Sequence, residues 1–185
     1  MLLKDFHPQS KLVTPQTIVS RPRYPVIDAH NHLGDFGGGW DHRPIDELLA
    51  AMDAVDVRVY VDLDGGWGED ILERHLDAFK ATVPERFMVF GGVDWSQWPA
   101  HGSRFGEWAA QRLRAQARRG AQGLKIWKPL GLSVRDERDE LVRVDDERLD
   151  PVWQTAAELD LPVLIHVADP VAFFDPIDAS NERWE

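Results

Sequence analysis

Val26-Ile27-Asp28-Ala29-His30-Asn31-His32-Leu33-Gly34 is the stretch whose reading decides the fold. It opens as a short apolar run behind Pro25 and so reads as a strand. Alternate side chains of a strand share a face, which is expected to put Asp28, His30 and His32 on the same side. Two imidazoles about 7 Å apart at a strand end can both turn onto one metal ion. The run Gly34-Asp35-Phe36-Gly37-Gly38-Gly39 then reads as loop, so the pair stands where a strand opens into flexible chain. A barrel enzyme keeps its chemistry at such a place. By itself a His-x-His pair is a weak signal in a chain with seven histidines. A second apolar run, Leu161-Pro162-Val163-Leu164-Ile165-His166, strengthens it, because it too ends in a histidine followed by loop-like sequence.

Composition narrows the classes of function. At 185 residues and 43% hydrophobic the chain can bury a substantial core, and one domain is the default. Its 21 basic and 32 acidic residues give a formal charge of −11. Nucleic acid and anionic membrane are bound largely through clustered Lys and Arg, so neither is the expected partner. Cysteine is absent, so any metal has to be held by His and carboxylates. No stretch near Met1 resembles a signal peptide and no apolar run reaches membrane-spanning length, so the expectation is a cytoplasmic protein.

In chain order, residues 1–25 carry Pro8, Pro15, Pro22 and Pro25 with little periodicity, and read as an extended arm packed across the outside of the domain. The domain proper runs from 26 to 185. Pro44 opens a helix with Ile45, Leu48, Leu49, Met52 and Val55 at helical spacing, followed by a strand from Val57 to Leu63. The unit repeats with Ile71, Leu72, Leu76 and Phe79 on one helical face, a break at Pro84, and a strand from Phe87 to Val93. Phe105, Trp108, Ala109 and Leu113 mark a third helix ending at Gly120, which leads to a strand at Gly123 to Trp127. The charged segment from Arg135 to Arg148 reads as a solvated loop. Asp150 and Pro151 then cap a fourth helix with Val152, Trp153, Ala156 and Leu159 on one face, feeding a fifth strand that ends at His166.

Strands alternating with helices at this spacing specify a parallel α/β sheet, either an open doubly wound sheet or a TIM (β/α)₈ barrel. No Gly-x-Gly-x-x-Gly opens a helix, so the dinucleotide-binding form of the open sheet lacks its phosphate loop. The histidines favour the barrel. There strands one and five face each other across the ring, and His30, His32 and His166 can converge at the mouth.

Three segments carry a family resemblance. They are Ile27 to Gly34, Gly120-Ala121-Gln122-Gly123-Leu124-Lys125-Ile126, and Asp150 to Leu159 running into Leu161 to His166. In this order they resemble the amidohydrolase superfamily, and most closely its amidohydrolase-related branch that includes the aminocarboxymuconate-semialdehyde decarboxylase type of enzyme. The resemblance covers residues from about 24 to about 170. It implies a metal-dependent (β/α)₈ barrel with His30, His32 and His166 as metal ligands. Three neutral imidazoles leave open positions on a divalent ion, where a water can be activated or a substrate oxygen polarised. Zinc suits the ligand set best, with manganese and iron as alternatives. Lys125 stands where the family carries a lysine, and there it could bind a substrate carboxylate or be carbamylated. Trp127 departs from the family pattern, since many members have a histidine two residues after the lysine.

Asp28 is expected to orient a ligand or the water network from below His30. Five of the eight tryptophans, Trp40, Trp67, Trp95, Trp98 and Trp127, follow the ends of the first four strands. In a barrel they would ring the mouth as an aromatic substrate wall, with Trp40, Trp67, Trp95 and Trp127 as its candidate contacts. The leading expectation is a metal-dependent hydrolase of a small carbonyl, ester or amide substrate. A non-oxidative decarboxylase on the same scaffold is its rival, and a non-catalytic barrel piece the reading from another class. Five strands and four helices fall short of the eight of each, in about 250 residues, that a full barrel requires. The chain is therefore expected to be the N-terminal part of a longer enzyme, inactive alone. Its open edges at strands one and five would favour self-association.

Overall fold

The structure, a computed structural model, describes residues 14–15, 17–19, 21–167 and 169–183. Five strands, β1 (Val26–Asn31), β2 (Val57–Asp62), β3 (Phe87–Val89), β4 (Leu124–Ile126) and β5 (Val163–Ile165), alternate with helices. β1, β2 and β3 pair in parallel, as do β4 and β5. A parallel bridge from Gly91 to Leu124 joins the two sets, backed by hydrogen bonds from Gly91 N–H to Gly123 O (3.0 Å) and from Lys125 N–H to Gly91 O (2.8 Å). The strands thus lie side by side in chain order. That order separates the two architectures the sequence left open, because a doubly wound sheet reverses direction at its first strand whereas a barrel wall does not.

The helices are α1 (Ile45–Ala54), α2 (Glu69–His75, continued by a π turn over Leu76–Lys80), α3 (Trp98–His101), α4 (Phe105–Arg119), α5 (Pro129–Leu132, a kinked turn) and α6 (Asp150–Glu158). Their buried stripes explain their placement. α1 buries Leu48 and Met52 against Phe79, Phe87 and Leu33. α4 buries Phe105, Ala109 and Leu113 with Leu124, Ile126, Val152 and Ala156, and stops at Gly120, whose φ of 118° suits a residue without Cβ. The chain through β3 alternates as the period of two demands. Phe87 and Val89 pack on these helix-bearing clusters, while Phe90, with Val61, Leu63 and the half-buried Met88 and Leu164, forms a cluster that no helix residue enters.

Several expectations need correction. The segment from Arg135 to Arg148 is a loop exposed over most of its length, as expected, but it is pinned at a few points rather than free. Arg135 and Leu141 form an antiparallel bridge, Val142 is fully buried, and Arg148 donates to Asp136 Oδ2 (2.9 Å) and Asp146 Oδ2 (2.7 Å). Charge here is neutralised internally, which a count of charged residues does not show. Trp98 is not at the mouth. It is fully buried on α3, stacked 4.3 Å from Phe105, and its indole N–H donates to Glu137 Oε2. The expected arm lies largely outside the described residues. Of its described part, Ile18, Val19 and Tyr24 are exposed rather than packed. Ile27, Ile165 and Val167 near the outer strands are exposed too. Among the described residues no helix is long and apolar enough to cross a membrane.

Candidate metal and substrate site

The C-terminal ends of the strands gather most of the residues singled out from the sequence. The rings of His30 and His32 are 5.3 Å apart, and His32 lies 5.3 Å from Trp127 with the planes nearly parallel. Trp127 also stacks on Trp67 at 4.0 Å and approaches His166 at 6.5 Å. The Lys125 ammonium rests 4.7 Å from the Trp127 ring. His30, His32, His166, Lys125, Trp67 and Trp127 therefore share one mouth, contributed by β1, β4, β5 and the turn after β2.

Strict alternation does not hold along β1. Its pairing with β2 is irregular between Asp28 and Asn31, and Asp28 is in register with Tyr60. The Asp28 carboxylate accepts from His30 N–H (3.2 Å) and the Asn31 amide (2.8 Å), so it serves its own strand.

The turn that follows is tightly made. A Cβ at Gly37 would fall 1.3 Å from the His32 carbonyl oxygen, so no side chain fits there. Gly34 N–H donates to Asp64 Oδ2 at 2.7 Å. Asp64 Oδ1 receives His32 Nδ1–H, also at 2.7 Å. A carboxylate only accepts, so the bond places the His32 proton on Nδ1 and leaves Nε2 as its ligand atom.

The electrostatics differ from one side of the mouth to the other. His30 is held below its ordinary pKa, first by desolvation and then by its neighbours Lys125, His32 and His166, with Asp28 opposing. A neutral ring is the form a metal takes. Burial pushes the Lys125 pKa down as well, and its Nζ, fully enclosed, has no hydrogen-bond partner among the described residues. Asp94, at the end of the turn after β3, caps Ser96 through Oδ1.

A cleft of about 640 Å³ adjoins the mouth between the turn after β2, the turn after β3 and α4. Trp67, Trp95 and Trp127 line it, joined by Trp108 of α4, which also packs against the core. Trp40 is not among the lining residues; it packs beneath Arg43 (3.8 Å) on the α1 side.

Sequence reasoning missed a buried group beside the mouth. Asp62, Asp64 and His75 bring ligand-capable atoms within 4.8 Å of one another, and so do Asp35, Asp41 and His42 nearby. The three histidines of the mouth are not such a group among the described residues; the Trp127 ring lies 5.3 Å from His32 and 6.5 Å from His166. His75 is fully buried and donates from Nδ1 to Asp62 Oδ2 at 2.6 Å. The only sequence signal for it was the alternation Asp62-Leu63-Asp64 at a strand end.

Parallel strands in chain order, helices packed along them and polar residues gathered at their C-terminal ends define part of a (β/α)₈ barrel wall. Solved structures agree on the fold. A 5-carboxyvanillate decarboxylase from Novosphingobium aromaticivorans, with bound manganese and 3-methoxy-4-hydroxy-5-nitrobenzoic acid, is 22% identical with a TM-score of 0.50; the match covers 71% of this chain and 37% of the decarboxylase. A 2,6-dihydroxybenzoate decarboxylase from Rhizobium is 19% identical with a TM-score of 0.56, the match covering 87% of this chain and 55% of that one. The same figures hold for a 2,6-dihydroxybenzoate decarboxylase complexed with 2,6-dihydroxybenzoate. These are TIM-barrel enzymes, and the chain spans roughly a third to a half of their length. No family model and no curated protein matches the chain.

Proposed function

We propose that the protein is a divalent-metal-dependent decarboxylase of a small aromatic carboxylic acid, with a barrel of which these residues form part. The observation that carries the reading is Lys125. A buried ammonium without a hydrogen-bond partner, at the end of a barrel strand and against an aromatic ring, is costly unless an anion completes it. A substrate carboxylate is such an anion, and the stacked pair Trp67 and Trp127 offers its ring a flat apolar wall.

The donor set suits a divalent ion. His32 has its Nδ1 committed to Asp64, His30 is held neutral, and His166 ends β5 at the same mouth, so an ion would have to draw the three imidazoles closer together than they stand here. When bound, such an ion supplies charge to polarise a substrate oxygen. Lys125 pairs with the carboxylate and the tryptophans exclude water from it. Asp28 keeps its supporting place on β1 through the backbone of His30.

Two preferences formed on sequence alone shift. Decarboxylation replaces hydrolysis as the leading reaction, because the structural neighbours act on aromatic acids by loss of carboxylate. Manganese, an alternative to zinc on sequence alone, now stands level with it, because one neighbour holds it. The protein is offered Mn²⁺ or Zn²⁺ with a panel of hydroxylated benzoic acids, and CO₂ release is measured beside hydrolysis of aryl esters and amides. CO₂ release that vanishes in Lys125→Met supports the reading. Ester or amide turnover without CO₂ release restores the hydrolase, and neither activity in the presence of bound metal favours the non-catalytic piece.

A further inference from the structure

The buried carboxylates beside the mouth have their hydrogen-bonding capacity assigned to particular donors. Asp64 uses Oδ1 for His32 Nδ1–H and Oδ2 for Gly34 N–H, each at 2.7 Å, so a single side chain holds both the imidazole and the turn that leaves β1. Asp62 Oδ1 accepts from Leu33 N–H (3.2 Å) and Asp64 N–H (3.3 Å), which ties the turns after β1 and β2 together. Asp62 Oδ2 accepts from His75 Nδ1–H at 2.6 Å, with both side chains fully buried. His75 Nε2 in turn lies 3.4 Å from Asp41 Oδ2, which is held by Arg74 Nε at 2.8 Å. A continuous run of polar contacts thus leads from α2 to the imidazole of His32.

This group does not need an ion of its own. All four oxygens of Asp62 and Asp64 already face N–H donors, and a cation would have to displace them. Its arrangement matches instead a support that fixes which nitrogen of a ligand histidine is free.

We infer that Asp64 is a positioning residue that fixes the tautomer and orientation of His32, and that Asp62 and His75 brace Asp64 from α2. The inference rests on the reading of His32 as a metal ligand for its purpose, but its geometry stands apart from that reading. Without Asp64 the His32 ring is free to carry its proton on Nε2, the position a metal needs.

The test is the tautomer of His32 by ¹⁵N NMR in the metal-free full chain, followed by Mn²⁺ titration of the same samples. The wild-type ring is expected as the Nδ1–H tautomer, with a slowly exchanging Nδ1 proton. Asp64→Ala should move the population toward Nε2–H and weaken Mn²⁺ binding by about 10- to 100-fold. His75→Gln should give a smaller change in the same direction. A wild-type Nε2–H tautomer overturns the inference whether or not any variant folds, and so does an Asp64→Ala spectrum unchanged from wild type. Absence of Mn²⁺ binding by the wild type overturns the metal reading alone, because the tautomer shift is read without metal.

Discussion

Two sides of the same mouth handle buried charge in opposite ways. On the β1–β2 side every carboxylate oxygen of Asp62 and Asp64 accepts at least one hydrogen bond from His32, His75 or the backbone of the turns. On the β4 side, Lys125 is 1% exposed and its Nζ has no hydrogen bond among the described residues. A saturated network contributes rigidity and fixes geometry. An unsatisfied ammonium costs stability in the free protein and regains it only with a ligand. The first side is therefore built to hold atoms still, and the second to receive something.

The largest effect is expected where the saturated side is broken. Asp62→Ala leaves His75 without its carboxylate and strips the acceptor from two backbone N–H groups, and should cost about 3–5 kcal/mol in urea denaturation. A loss below about 1 kcal/mol would mean that the network is not rigid support. On the other side the sign reverses. Lys125→Met removes an unpaired charge from a buried site and should stabilise the protein by about 1–3 kcal/mol while abolishing CO₂ release. Destabilisation by this variant would place a hidden partner on Lys125 and remove the contrast.

A smaller effect follows from pH. Burial alone would lower the His75 pKa, but the hydrogen bond to Asp62 and the charges of Asp62, Asp41 and Asp64 raise it above its ordinary value of 6.5. A raised folded-state pKa means that the stabilisation is complete below the unfolded value and is lost as pH rises through the folded one. Wild-type stability should therefore decline on the alkaline side of 6.5, by at most about 1.4 kcal/mol per pH unit, and His75→Gln should flatten that decline. The smallest effect is at the boundary between the two sides. Trp127→Phe keeps an aromatic wall and discards an indole N–H that has no partner among the described residues, so stability should change by less than about 1 kcal/mol. Quenching of fluorescence by an aromatic acid should nonetheless weaken. Full quenching in both Trp127→Phe and Trp67→Phe would move the substrate away from this pair.

Much of the fold was legible because its signals are local. Apolar runs at Val26, Val57, Phe87, Gly123 and Leu161 gave the five strands, and spacing such as Leu48 to Met52 or Ala109 to Leu113 gave the main helices. The His30 and His32 pair was legible for the same reason. The supporting network was not. His32 and Asp64 are separated by 32 positions, and His75 and Asp62 by 13 across a turn, so no period connects them. Alternation along Asp62-Leu63-Asp64 tells which residues share a face but not which imidazole waits opposite. The anchors of the otherwise exposed loop from Arg135 to Arg148 were hidden for a related reason, since the Arg148 pairing with Asp136 looks like solvated charge until both ends are placed. Along β1 itself, the irregular register after Asp28 defeats a strict period of two.

The glycines after His32 bear on how this site can change by descent. Gly38 and Gly39 have φ of 105° and 63°, and Gly39 has open space around it, so its left-handed backbone tolerates an asparagine. Gly37 carries no such torsion but has no room, with the His32 carbonyl where its Cβ would be. Of the three, the one with ordinary backbone angles is thus the least replaceable. Among homologues, position 37 should stay glycine while position 39 drifts, and a lineage that lost Gly37 would have to reroute the chain behind its histidines before any other change could be tried.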